Sequence, residues 1–151
     1  MLHSLKTKQL VKSDIDTVWD FISSPKNVQT ITPDYMGFIM LSDPAEKMFP
    51  GQIIEYKVSP LIGIKLHWVT EITHVQDKEY FVDEQRFGPY AFWHHKHFLK
   101  ETKEGVVMYD EVHYKAPMGI VGRMANALFI KRQLKQIFDY RFGKIEELFN
   151  K

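Results

Sequence analysis

The stretch from Met118 to Asn150 constrains this chain most, because it alone is long and periodic enough to read as one long helix. Ile120, Met124, Leu128, Leu134, Phe138, Phe142, Ile145 and Phe149 recur at spacings of three, four and six, which puts them on one apolar face. The opposite face carries Lys131, Arg132, Lys135, Asp139, Lys144 and Glu147. Some thirty residues rising roughly 1.5 Å each make a rod of about 45 Å. A helix of that length must lie across a broad apolar surface, and the rest of the chain has to supply it.

The preceding residues read as that surface. His3 to Val11 alternates weakly and leads to Ser13, which with Asp16 three positions on can cap a helix carrying Ile15, Val18, Trp19 and Ile22 on one face. Ser24 can cap a second short helix with Pro25 in its first turn, ended near residue 31 by Thr32-Pro33. From Met36 the pattern changes to period two: Met36, Phe38 and Met40, then, after a loop at 44–51, Ile54, Tyr56 and Val58. Ser59-Pro60 marks a turn, and after Gly63 the alternation resumes as Ile64, Leu66, Trp68, Thr70 and Ile72. Runs from Tyr80 to Phe87, Tyr90 to Leu99 and Val106 to Tyr114 follow, turned by Gly88-Pro89 and Lys103-Glu104-Gly105, and Pro117 ends the last. The order predicts an α+β chain forming a single domain over 1–151. Its seven-stranded antiparallel sheet would curl around the C-terminal helix in a helix-grip arrangement, with two short helices after the first strand.

A chain of 151 residues can bury a core without covalent staples and still spare interior space. Its 20 basic and 19 acidic residues nearly balance, and Lys and Arg never run beyond two, which argues against a nucleic-acid partner. Cysteine is absent, which excludes a disulfide framework and a thiolate site. The N-terminus lacks the apolar core of a signal peptide and no run of 18 apolar residues occurs, so the expectation is a cytoplasmic protein without stable membrane insertion. Eleven Phe, seven Tyr and three Trp are compatible with a cavity walled by flat side chains or with an ordinary aromatic core.

Over essentially its whole length the chain resembles the START-related, Bet v 1-like SRPBCC superfamily. Phe81-Val-Asp83-Glu-Gln85, Gly88-Pro89-Tyr90, Trp93-x-His95-x-His97 and Asp110-x-Val112-x-Tyr114-x-x-Pro117 are similar to a bacterial ligand-binding subgroup of it. The superfamily also holds lipid-transfer domains and polyketide cyclases. The resemblance implies a fold and a cavity, chooses neither a reaction nor a ligand, and does not imply a metal; the ligand expected for that cavity is a small, largely hydrophobic molecule, lipid-, polyketide- or aromatic-like.

If Trp93 points inward, period two sends His95 and His97 with it and leaves His94 and Lys96 in solvent. The same rule groups Phe81, Asp83 and Gln85 on one face and Met108, Asp110, Val112 and Tyr114 on another; a bulge near Gly88 would change the parity. Two carboxylates, an amide and two imidazoles then meet on three strands, where isolated charges would each cost several kcal/mol, so mutual pairing is expected. One outcome is an Asp–His network that only fixes strand register. A second is a polar floor for a ligand: Tyr56, Trp68, Trp93, Met108 and Leu128 as wall, with Asp83, Gln85, His95, His97 and Asp110 as anchors. A third is cyclase or dehydratase chemistry with His95 as base, oriented by Asp83 or Asp110. His-x-His with Asp83 or Asp110 could also present three ligands to zinc or iron, but such pairs arise readily by chance among seven histidines, so neither metal nor cofactor is assigned. His67, His74 and His113 are expected on the outer face. An exposed apolar rim for membrane-linked lipid carriage could come only from Met118, Ile120 and Val121.

Overall fold

The computed structural model describes residues 1–61 and 64–151. Strand β1 (His3–Val11) is followed by helix α1 (Ile15–Ile22), by 3-10 turns at Pro25–Val28 and Asp34–Met36, and by the short strand β2 (Ile39–Met40). Strands β3 (Gln52–Leu61), β4 (Ile64–Gln76), β5 (Tyr80–Phe87), β6 (Phe92–Thr102) and β7 (Gly105–Lys115) follow. Helix α2 (Gly119–Ala125), a π-helical turn (Asn126–Ile130) and helix α3 (Lys131–Phe149) complete the chain. The seven strands form one antiparallel sheet in the order β1-β7-β6-β5-β4-β3-β2, so every neighbour from β2 to β7 is a hairpin partner and β1 closes against the last strand.

The alternation produced the strands, because each buried face needs a partner and period two supplies it. Local signals placed some boundaries differently. Asp14, not Ser13, caps α1, its carboxylate accepting from Thr17 N at 2.8 Å. Pro25 opens a 3-10 turn of four residues and not a second α-helix. Ser59 and Pro60 continue β3 through an irregular register between Val58 and Leu61; Ile62 and Gly63, in the expected turn, lie outside the described residues.

The C-terminal helix lies along the inner face of the sheet. Leu134 and Phe138 pack with Val112 and Tyr114 of β7, and Ile145 enters the core of Val11, Val18, Trp19, Val106 and Met108. Ile137 reaches across to Val58 and Trp68. Its far end is fixed to β1: Gln9 Nε2 donates to Phe142 O at 3.0 Å and to Glu146 Oε1 at 2.9 Å, and Asn150 Nδ2 donates to Leu10 O at 2.9 Å.

The single uninterrupted apolar face is not what forms. Met118 adopts a left-handed φ of 61°, and the π turn at Asn126–Ile130 inserts an extra residue per turn, which rotates the following face by about 100°. The six-residue step from Leu128 to Leu134 is where the phase fails. Ile120, Met124 and Leu128 consequently stay exposed with Met118, Val121 and Phe129, while Leu134, Phe138 and Ile145 are buried. Leu128, expected as cavity wall, is 64% exposed. No described helix is long and apolar enough to cross a membrane.

Candidate functional site

Three adjacent strands and α3 build the polar centre. Asp83 on β5 pairs in register with His95 on β6, Phe81 with His97, and His97 with Asp110 on β7. Trp93, His95 and His97 share the inner face, whereas His94 meets Glu84 and Lys96 meets Glu111 on the outer one. His67 lies beside Glu55, His74 is exposed and His113 lies near Glu111, all away from this centre.

Each imidazole is held between two carboxylates. His95 Nε2 lies 2.8 Å from Asp110 Oδ1 and its Nδ1 lies 3.5 Å from Asp83 Oδ2. His97 Nε2 lies 2.7 Å from Asp83 Oδ2 and its Nδ1 lies 3.0 Å from Asp110 Oδ1. Trp93 Nε1 donates to Asp83 Oδ1 at 3.3 Å, and Thr7 Oγ1 donates to Asp110 Oδ2 at 3.3 Å. The two rings lie 3.7 Å apart between centroids, and Phe81 stacks on His97 at 4.0 Å.

Arg141 completes the cluster, a residue that the expected site did not include. Its Nη2 lies 3.8 Å from Asp110 Oδ1 and 3.5 Å from His97 Nδ1. The signal was present: Leu134, Phe138, Arg141 and Ile145 follow spacings of four, three and four, which puts the arginine on the buried stripe. Phe142, assigned to that stripe, is 44% exposed.

Burial and charge act in opposition on these groups. Burial alone would raise Asp110, but Arg141 and the two histidines hold its carboxyl well below the ordinary value. Burial would likewise raise Asp83, which His95 and His97 pull below it. For His95, burial and the neighbouring His97 win, and its pKa falls. For His97, burial is outweighed by Asp110 and Asp83, and its pKa rises. Of the two rings, His97 therefore holds a proton more readily than His95.

The cluster floors a cavity of about 180 Å³ between the sheet, α3 and the 3-10 turns. Tyr56, Trp68 and Trp93 line it, as do Asp83, His95, His97 and Arg141, and Leu134, Ile137 and Phe138 roof it from α3. Trp68 stacks on Tyr56 at 5.9 Å between centroids and meets Tyr90 and Trp93 edge-on at 5.6 and 5.3 Å. Tyr56 donates or accepts a hydrogen bond with Thr70 at 3.0 Å, and burial raises its pKa. Four expected site residues stand elsewhere. Met108 belongs to the core around Ile145, and Asp110 sits behind the histidines as their support. Leu128 is in solvent. The Gln85 amide is spent on the β5–β6 turn, with Nε2 donating to Tyr90 O at 2.7 Å and Oε1 accepting from Tyr90 N at 3.1 Å. Gly88 within that turn has φ +157°, and a Cβ there would come within 2.6 Å of Gln85 Oε1.

Known structures share this fold. A Thermus thermophilus protein superposes with a TM-score of 0.72 at 11% identity, over 96% of this chain and 95% of that one. A START superfamily protein from Mycobacterium smegmatis gives 0.69 at 11% identity, over 97% and 98% of the two chains. Ara h 8.0201 gives 0.65 at 12% identity, over 97% and 99%. The chain therefore has the helix-grip fold of START and Bet v 1-like proteins. No protein-family model and no curated protein matches it.

Proposed function

We propose that this chain binds one small, largely hydrophobic molecule in the cavity between sheet and α3. The observation that carries the reading is a space with aromatic and aliphatic walls and one localised polar floor, the form ligand sites commonly take. Its volume of about 180 Å³ favours a compact aromatic or polyketide-sized body over a two-chain lipid. Two donors on lining residues, Trp68 Nε1 and Arg141 Nε, are buried without an acceptor among the described residues. Buried donors left unpaired are costly, so a ligand carrying carbonyl or ether oxygens suits this wall. A cytoplasmic setting accompanies this reading, and the balanced charge supports a partner other than nucleic acid.

Native mass spectrometry of protein purified from its own host, followed by denaturing extraction, tests the proposal. A stoichiometric apolar molecule bearing an oxygen acceptor is expected, and His95→Ala should retain the fold while reducing its capture. Protein that is uniformly empty and takes up none of a panel of aromatic and polyketide-like compounds would refute it.

The position of His95 supports a second reading, an enzyme of cyclase or dehydratase type. His95 lines the cavity, is held through Nε2 by Asp110 and is neutral, which suits a general base near neutral pH. Turnover of polyketide-like compounds, lost in His95→Gln, is the discriminating outcome.

A further inference from the structure

We infer that Asp83, His95 and His97 form a mononuclear site for a divalent transition-metal ion of the zinc or ferrous class, with open coordination positions facing the cavity. One potential ligand atom from each residue lies within 4.8 Å of the other two. Ligand atoms at the roughly 2.0–2.2 Å typical of nitrogen and carboxylate ligands stand no more than about 4.4 Å apart, and Asp83 Oδ2 lies 3.5 Å from His95 Nδ1 and 2.7 Å from His97 Nε2. Two imidazoles and one carboxylate are also the donor set that holds such ions with sites left vacant for water or substrate.

The surroundings are those of a supported metal site. A metal-bound histidine ordinarily places its outer nitrogen against a carboxylate, which fixes the ring and its tautomer. Here both outer nitrogens, His95 Nε2 and His97 Nδ1, converge on the same Asp110 Oδ1 at 2.8 and 3.0 Å. Asp110 is itself steadied by Thr7 Oγ1 and by Arg141. The guanidinium thereby answers the charge of the supporting carboxylate.

His97 Nε2 lies within hydrogen-bond distance of Asp83 Oδ2 at 2.7 Å, but the contact from His95 is of another kind. With the Nε2 proton of His95 directed at Asp110, its Nδ1 presents a lone pair to Asp83 Oδ2, 3.5 Å away. Two acceptors face each other, and a cation between them removes the conflict. Asp83 and Asp110 supply two negative charges and Arg141 one positive, a net −1 that favours added positive charge: a proton on His97 brings it to zero and a divalent ion to +1. Asp83, His95 and His97 all line the cavity, so a bound ion would meet whatever occupies it. The inference does not depend on which organic molecule that is.

Titration of chelator-stripped wild-type protein with Zn²⁺ by calorimetry, and with Co²⁺ by visible absorption, decides the matter. One equivalent per chain with micromolar or tighter affinity, and cobalt d–d bands of a four- or five-coordinate site, is expected. Asp83→Asn, which preserves shape, should weaken binding at least 100-fold, and Asp110→Asn about 10- to 100-fold through loss of support. Should a variant fail to fold by circular dichroism, the ring ¹⁵N shifts of His95 and His97 on adding Zn²⁺ to the wild type supply the assignment. Absence of saturable binding by folded wild-type protein overturns the inference, leaving a proton as the balancing charge. Binding unchanged by Asp83→Asn overturns it equally and points to the outer histidines. Ligand capture that persists in EDTA leaves the ligand-binding proposal standing whatever these titrations show.

Discussion

His95 and Asp110, fifteen residues apart on adjacent strands, are joined by an Nε2 to Oδ1 contact of 2.8 Å in a site where both side chains are buried. Asp110 also anchors His97 and Thr7 and answers Arg141, so this one carboxylate ties β1, β6, β7 and α3 together. Replacing it with alanine strands two imidazoles and a guanidinium. Asp110→Ala is expected to cost about 3–5 kcal/mol, the range for removing one partner of a buried charged pair. Urea denaturation read by tryptophan fluorescence measures it, and a cost below about 1 kcal/mol would show the cluster to be solvated.

The two histidines make stability depend on pH in opposite senses. His95 has a folded pKa below its ordinary value of about 6.5, so the unfolded chain takes up its proton first and stability rises with pH up to that value. His97 has a folded pKa above it, so its contribution is complete below about 6.5 and is lost as pH rises through the folded value. Chelator-stripped protein should therefore show a stability maximum near neutrality. Asp110 adds an acid limb, because its depressed pKa gives stability that is present above the ordinary carboxylate range and lost as pH falls toward the folded value. Melting temperature against pH checks all three, and His97→Gln should remove the alkaline decline selectively.

Gln85 separates turn stability from ligand capture. Its side chain makes two hydrogen bonds to the Tyr90 backbone. Gln85→Ala should destabilise by about 1–3 kcal/mol through unpaired backbone groups while leaving the stoichiometry of a bound ligand unchanged. Denaturant midpoints and native mass spectrometry on the same sample make the comparison. A selective loss of ligand at constant stability would return Gln85 to the site.

The residues before α3 provide the opposite case. Leu128 and Phe129 are 64% and 66% exposed. Leu128→Ser and Phe129→Ser should each change stability by no more than about 0.5 kcal/mol, the usual range for surface positions. A cost above about 2 kcal/mol would mean that this segment is covered in solution.

The strands were legible in the sequence because burying one face of a sheet forces alternation, and the parity of Trp93, His95 and His97 followed once Lys96 was required to face solvent. The helix was legible in extent but not in phase. Periodicity assumes a constant number of residues per turn, and the π turn at Asn126–Ile130 breaks that assumption, moving Leu128 from wall to surface. Arg141 escaped notice because charge assigns a residue to solvent unless the neighbours that neutralise it are already known.

The sequence by itself determined the elements, their antiparallel order and the single long cover over the sheet, since these depend on local periodicity and turn chemistry. Tertiary structure alone decided which polar groups meet. The convergence of Asp83, His95, His97, Asp110 and Arg141 depends on the register between β5, β6 and β7 and on the rotation of α3. Both are set by the packing of the whole core, because a one-residue slip or a fraction of a turn would carry any of these side chains out of reach.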